Sequence, residues 1–249
     1  MWEQRDHLPW RRTTEPYKIL VSEIMLQQTQ VDRVVPFYNA FIKKFPTAQK
    51  LAAAKLPAVL KAWQGLGYNR RAKFLHEAAK IIVREGFVGQ KLPGVGPYTA
   101  GAISAFAFNK PEVFVETNIR TVFFYHFGFL QKARTSDKEL LPLVAEALRR
   151  SKMQPHDFYA ALMDYGSYLK KRGVKLNSRS KHYNKQSKFE GSARQLRGAI
   201  LRELLKKPAT LAQLTKNLSR KRGEVERELG RLMNEGLVMR LESRYQVAR

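Results

Sequence analysis

No cysteine occurs among the 249 residues, which excludes disulfides, iron–sulfur clusters and thiolate zinc sites. The five histidines, His7, His76, His126, His156 and His182, show no metal-ligand spacing, so no structural transition metal is expected. No apolar run approaches membrane-spanning length, and the start, MWEQRDHLPWRR, lacks the apolar stretch of a signal peptide. These absences lead to the expectation of a soluble chain, cytoplasmic, and associated with the nucleoid if the source is prokaryotic. Acidic residues are scarce as well: 21 Asp and Glu face 46 Lys and Arg, for a formal charge of +25. An excess of that size makes a polyanion the natural partner. The remaining composition, 44% hydrophobic and 11% aromatic, is that of a chain able to bury a core.

From Tyr17 to about Tyr168 the chain reads as successive helices. Apolar residues recur at three- and four-residue intervals, as in Ile19, Leu20, Ile24 and Met25 or Leu51, Val59, Leu60 and Trp63. Pro and Gly clusters at Phe45-Pro46-Thr47, Gly65-Leu66-Gly67, Pro93 to Pro97 and Asn109-Lys110-Pro111 punctuate them. The fold class is therefore all-α over this part. Between Lys170 and Arg194 the chain turns basic, rich in Ser and Asn and poor in aliphatics, as expected of a linker or mobile basic arm. Beyond it, Gln195 to Lys206 and Lys221 to Asn234 read as helices flanking a shorter apolar segment at Leu211, Leu214 and Leu218. The alternation from Leu237 to Val247 suits a hairpin, completing the order of a winged helix. From Gly166 onward the net charge is +15 of the total +25, which suggests a second DNA-contacting module, with a small protein-docking domain as the alternative.

Three strings carry chemistry. In Leu92-Pro-Gly-Val-Gly-Pro-Tyr-Thr-Ala-Gly-Ala-Ile, Gly94 and Gly96 flank Val95 and allow a tight turn between two helices. Main-chain N–H groups at the N-terminus of the helix starting near Pro97 would then hold a DNA phosphate without side-chain charge. In Ser22-Glu-Ile-Met-Leu-Gln-Gln-Thr-Gln-Val, Glu23 suits either an exposed helix surface or, beside Ile24, Met25 and Trp10, a carboxyl raised into the range of a proton donor. In Val113-Phe-Val-Glu-Thr-Asn-Ile-Arg, Glu116 suits either a plain helix cap or a carboxylate facing a cationic sugar.

In this order the strings, together with Leu8-Pro-Trp-Arg and Trp63-Gln-Gly-Leu-Gly-Tyr, resemble the helix-hairpin-helix superfamily. They are most similar to MutY-type adenine DNA glycosylases, relatives of endonuclease III, from about Arg5 to Tyr168. The resemblance implies a two-lobed glycosylase domain at 1–170, a six-helix-barrel lobe at about 21–130 and a second lobe from the N-terminus and 131–170. A basic linker at 171–193 and a winged-helix-like domain at 194–249 would follow. It implies Glu23 as the acid that protonates the departing base, Glu116 as the carboxylate that stabilises the sugar cation, and Asn118 as its polar neighbour. Arg5, Trp10 and Arg11 would line the base pocket. Gln28 and Tyr68 would enter the duplex beside the extruded base, and Thr29, Leu66, Gly94, Val95, Gly96 and Thr99 would contact DNA. Tyr98 stands where strand-nicking relatives carry a Schiff-base lysine, so base excision without strong lyase activity is implied. The partner would be double-stranded DNA with a mismatched or damaged base, most readily adenine opposite 8-oxoguanine or guanine, bound by a monomer. Thymine or uracil opposite guanine, or a non-catalytic DNA-binding protein on the same scaffold, are the alternatives. No cofactor is expected, with room only for a monovalent cation at the hairpin.

The chain departs from the pattern in four places. Glu116 replaces an Asp, and SYLKKRGVKLNSRSKHYNKQSK stands where cluster-binding cysteines would be. EGFVGQK is a short link into the hairpin, and the winged helix replaces the family's 8-oxoguanine-recognising C-terminal module.

Overall fold

The computed structural model describes residues 5–87, 91–127, 134–181, 183 and 188–248. Pro16 opens α1 (Pro16–Leu26), whose Ile19, Leu20, Val21, Ile24 and Met25 are all buried. A helix apolar nearly all round belongs inside the protein, which is why Ser22 and Glu23 are carried inside with it. Four helices follow: α2 (Val31–Lys44), α3 (Ala48–Ala52), α4 (Leu56–Trp63) and α5 (Arg70–Glu85). Val34, Tyr38 and Phe41 face the core from α2, and Leu56, Val59, Leu60 and Trp63 from α4. Gly86, at φ 85°, stops α5 in a conformation that side chains resist. The short link expected at EGFVGQK lies partly outside the described residues, since 88–90 are not among them.

Beyond the hairpin come α6 (Pro97–Phe108), α7 (Thr117–His126), α8 (Asp137–Ser151) and α9 (Pro155–Lys171). Helix α8 starts on a capping box between Ser136 and Glu139. The segment after α9 is not wholly the mobile arm that its composition suggests. A 3₁₀ turn at Asn177–Arg179 places Ser180 in a parallel bridge with Thr135, and the Asn177 amide donates to Thr121 Oγ1 at 2.9 Å. Main-chain bonds from Thr135 N to Arg179 O and from Lys181 N to Thr135 O, each 3.0 Å, secure it. Ser and Asn serve here as hydrogen-bonding pins rather than as solvated filler. Of the remainder of that segment, 182 and 184–187 lie outside the described residues.

The C-terminal part runs α10 (Ala193–Leu204), β1 (Ala209–Thr210), α11 (Leu211–Leu218), α12 (Arg222–Asn234), β2 (Val238–Leu241) and β3 (Arg244–Val247). The sheet is antiparallel in the order β1-β3-β2, with Ala209 opposite Tyr245 and Val238 opposite Val247. This is the element order of a winged helix around Leu196, Ile200, Leu214, Val225, Leu229 and Val247. The helices begin one or two residues from their expected ends, and the hairpin falls where alternation places it. The two-residue β1 is too short to alternate and was not expected.

Two compact units emerge, one of 1–23 with 95–185 and one of 24–94 with 186–249. The expected lobes are 21–130 and the N-terminus with 131–170; here 95–130 groups with the N-terminus and the later helices, and the C-terminal domain joins the unit that contains α5. Lys73 on α5 donates to the Glu235 carbonyl at 3.1 Å, and a Cβ on Gly236 would strike the Lys73 ammonium. No described helix is long and apolar enough to cross a membrane.

Candidate active site

Within the first unit the carboxyl of Glu23, 6% exposed, accepts a hydrogen bond from the Tyr98 hydroxyl at 3.0 Å. Burial is the main reason that the Glu23 pKa rises to about 7, and the negative charge of Glu116 adds to it. The Tyr98 bond and the Arg11 guanidinium pull the other way without cancelling the rise. Tyr98 is itself pushed well above its usual range, by burial and by both carboxylates, so it stays a protonated donor. Its ring meets Phe114 edge-on at 5.6 Å, and Phe114 in turn stacks on Tyr159 at 4.0 Å.

Glu116 is the N-cap of α7. Its Oε1 accepts from Asn118 N at 2.5 Å and Ile119 N at 2.9 Å. Its pKa is raised chiefly by burial, although its surface retains a window to solvent. The two main-chain donors, Lys170 and Arg120 oppose that rise. One side chain thus both caps α7 and raises the pKa of Glu23.

Arg11 is placed by a residue that the sequence did not single out. Asp164, buried on α9, accepts from the Arg11 guanidinium at 3.3 Å and from Arg5 N at 3.1 Å. Arg11 also lies over the Phe106 ring at 5.3 Å and reaches the Ala160 carbonyl at 3.4 Å. Trp10 is buried beside it in sequence, on a 3₁₀ turn from Pro9 to Arg11. Asp164 has no periodic or motif signal that marks it out; only the fold brings it 153 residues back to Arg11.

In the second unit Arg71 plays the organising role. Its guanidinium donates to the carbonyls of Ile24 (3.0 Å), Met25 (2.8 Å) and Gln27, and to Thr29 Oγ1 and Gly67 O at 3.1 Å each. The C-terminal carbonyls of α1, which helix geometry leaves without partners, are thus gathered on one buried cation. Burial lowers the Arg71 pKa to about 10, still far above neutrality. The clamp holds two unusual backbones: Gln28 at φ 55° and Tyr68 at φ 49°. Non-glycine residues in the left-handed region cost energy and concentrate at functional sites. Gln28 is exposed, and Tyr68 half-buried, with Arg71 over its ring at 5.3 Å.

The hairpin has the geometry that its glycines imply. Gly94 takes φ 76°, and a Cβ there would lie 3.0 Å from that of Phe74. Gly96, the N-cap of α6, faces open space, and Pro97 follows it with no side-chain cap on the helix start. Such first-turn amides suit an anion. Two expected DNA contacts need correction. Leu66 and Thr99 are each 3% exposed as whole residues, so their side chains belong to the core. Leu66 is an apolar residue in a turn between two glycines of positive φ, and Thr99 is a buried residue of α6. The segment that replaces the cluster loop offers Asn177, Ser180 and basic residues, a donor set that does not fit an iron–sulfur cluster.

Residues 21–157 match the family described as HhH-GPD superfamily base excision DNA repair protein. The chain is 36% identical over 261 residues to the adenine DNA glycosylase of Mycolicibacterium smegmatis, covering 94% of this chain and 88% of that one. It is 42% identical over 174 residues to the adenine DNA glycosylase of Buchnera aphidicola, and spans 49% of that relative's length. The human adenine DNA glycosylase is 43% identical over 137 residues, 48% of this chain and 25% of that relative. A solved thermostable thymine-DNA glycosylase superposes with a TM-score of 0.55 at 28% identity, covering 64% of this chain and 77% of that one. The chain belongs to the HhH-GPD superfamily of base excision DNA repair proteins, among the relatives of the adenine DNA glycosylases.

Proposed function

We propose that this protein binds double-stranded DNA and hydrolyses the N-glycosidic bond of an extruded adenine paired with 8-oxoguanine or guanine. The observation that carries the reading is the buried Glu23 carboxyl, poised near neutrality in the same unit as a second carboxylate. Protonated Glu23 gives its proton to a ring nitrogen of the base, and the bond to C1′ breaks with its electron pair leaving on the base. The negative charge of Glu116 stabilises the sugar cation that results. Water then attacks C1′ and passes a proton to the Glu23 carboxylate, which restores the acid. Tyr98 keeps Glu23 in place and has no amine with which to form a Schiff base. The hairpin amides, Gln28 and Tyr68 would hold the opened duplex, and a base out of its stack leaves a gap that such groups can fill.

Single-turnover excision on a panel of duplexes tests this reading. Adenine opposite 8-oxoguanine or guanine should be released fastest, with strands breaking only after alkali. Release of thymine or uracil opposite guanine, with adenine untouched, would favour the second reading. That reading rests on the likeness to the thermostable thymine-DNA glycosylase. Efficient borohydride trapping of a covalent complex would overturn the monofunctional assignment.

A further inference from the structure

The C-terminal domain contributes to more than its own core. Between it and the helices of the same unit lies a cleft of about 350 Å³, lined by Gln28, Tyr68, Phe74, Arg194, Arg197 and Leu232 among others. That volume is within the range of small-ligand sites. Arg194, on the first turn of α10, donates to the Tyr68 hydroxyl at 2.6 Å, and its guanidinium carbon stands 5.1 Å from the ring centre. Arg197, one turn further on, is paired with Glu235 at 3.0 Å and with the buried Glu228 at 3.7 Å. Of the two guanidinium groups, Arg197 is therefore committed to carboxylates within the domain, and Arg194 is carried to the aromatic ring.

We infer that Arg194 is a specificity-determining residue that reads the base opposite the excised one and selects a guanine-type edge. The inference rests on the reading above in taking Tyr68 as a residue that meets the opened duplex. A base stacked on the Tyr68 face brings its edge towards the guanidinium at the ring's hydroxyl end. Guanine offers O6 and N7 there as adjacent acceptors, which the planar fork of Arg matches, whereas 8-oxoguanine keeps the O6 acceptor but carries a proton on N7 and accepts one of the two bonds. Cytosine and adenine place an amino donor on the corresponding edge. The strained backbone of Tyr68 and its Arg71 clamp fix the ring against which that edge would register. The C-terminal domain thus becomes a part of reading the opposite base rather than a remote anchor on DNA.

Two variants, Arg194→Ala and Arg194→Lys, test the assignment, with thermal unfolding of each to verify that the domain stays folded. In wild-type protein adenine should be released faster opposite guanine than opposite cytosine. Each variant should lower that ratio by about ten- to a hundredfold, the discrimination expected of one bidentate contact. Lys should not restore the ratio, since it lacks the fork. A loss equal for all partners would overturn the inference, as would a ratio unaltered in both variants. The same comparison is made by binding to duplexes with an uncleavable abasic analogue opposite guanine or cytosine. Binding that discriminates in wild type and not in the variants, with no adenine released, would sink the adenine reading and leave the role of Arg194 standing. Wild-type protein that discriminates in neither measurement would overturn that role.

Discussion

Glu23→Gln should abolish base excision while leaving duplex affinity within a few-fold of wild type. Removal of a positioned general acid costs about 10²–10⁴ in rate. Here the same carboxyl also receives the proton of the attacking water, so the loss should lie at the upper end, at least about a thousandfold in single-turnover rate. Gln keeps the volume and can still accept from Tyr98, so the pocket need not rearrange. The wild-type rate should fall about tenfold per pH unit above the Glu23 pKa of about 7, as the acid form is lost. The groups that face Glu23 are Tyr98, Glu116 and Arg11, and Glu116 is also raised, so the observed midpoint belongs to the coupled carboxylates. Full activity of the variant, or a flat pH profile through this range, would reject Glu23 as the acid.

The same shift makes a statement about stability, of opposite benefit. A carboxyl with pKa 4.5 in the unfolded chain and about 7 when folded binds its proton more tightly in the native state. Its contribution is fully present below pH 4.5 and is lost progressively as pH rises through 7. The loss above pH 7 is on the order of 3 kcal/mol. Glu23→Gln should therefore unfold at a higher temperature than wild type at pH 8, and the difference should shrink towards pH 5. A catalytic group that destabilises its own fold is the expected cost of an acid kept dry.

How much of this was legible in the chain depends on the range of the signal. Glu23 and the hairpin glycines were readable because their neighbours in sequence are their neighbours in space: a buried helix for the one, a turn for the other. The capping of α7 by Glu116 was readable for the same reason. Asp164 and Arg71 were not, since each acts through polar contacts to residues far along the chain or to carbonyls that have no composition. Within the expected linker at 171–193, the pairing of Ser180 with Thr135 runs through main-chain atoms, to which residue type gives no clue. Leu66 and Thr99 are expected at DNA from motif position, whereas the fold buries their side chains. The placement of Arg194 against Tyr68, 126 residues apart, required the fold.

Gly166→Ala should be the most damaging glycine-to-alanine change among the described residues. A Cβ at this position would lie 2.7 Å from both the carbonyl carbon and the Cβ of Asn118, and closer still to the carbonyl oxygen. Contacts so short to backbone have no flexible partner to yield, so α9 and the start of α7 must separate. Overpacking of this kind costs about 1–3 kcal/mol or more. The displacement acts where it matters, since Asn118 N is one of the two donors that hold Glu116. We expect a fall of several degrees or more in Tm together with at least a tenfold loss of single-turnover rate. Gly198→Ala on α10 and Gly230→Ala on α12 provide the opposite control. A Cβ at either would meet nothing within 4 Å, and both glycines sit inside helices. There Ala should stabilise by up to about 1 kcal/mol through helix propensity alone. A Gly166→Ala protein with wild-type Tm and rate would show that the two helices can part without disturbing Glu116, and that the tight contact is not what holds the carboxylate.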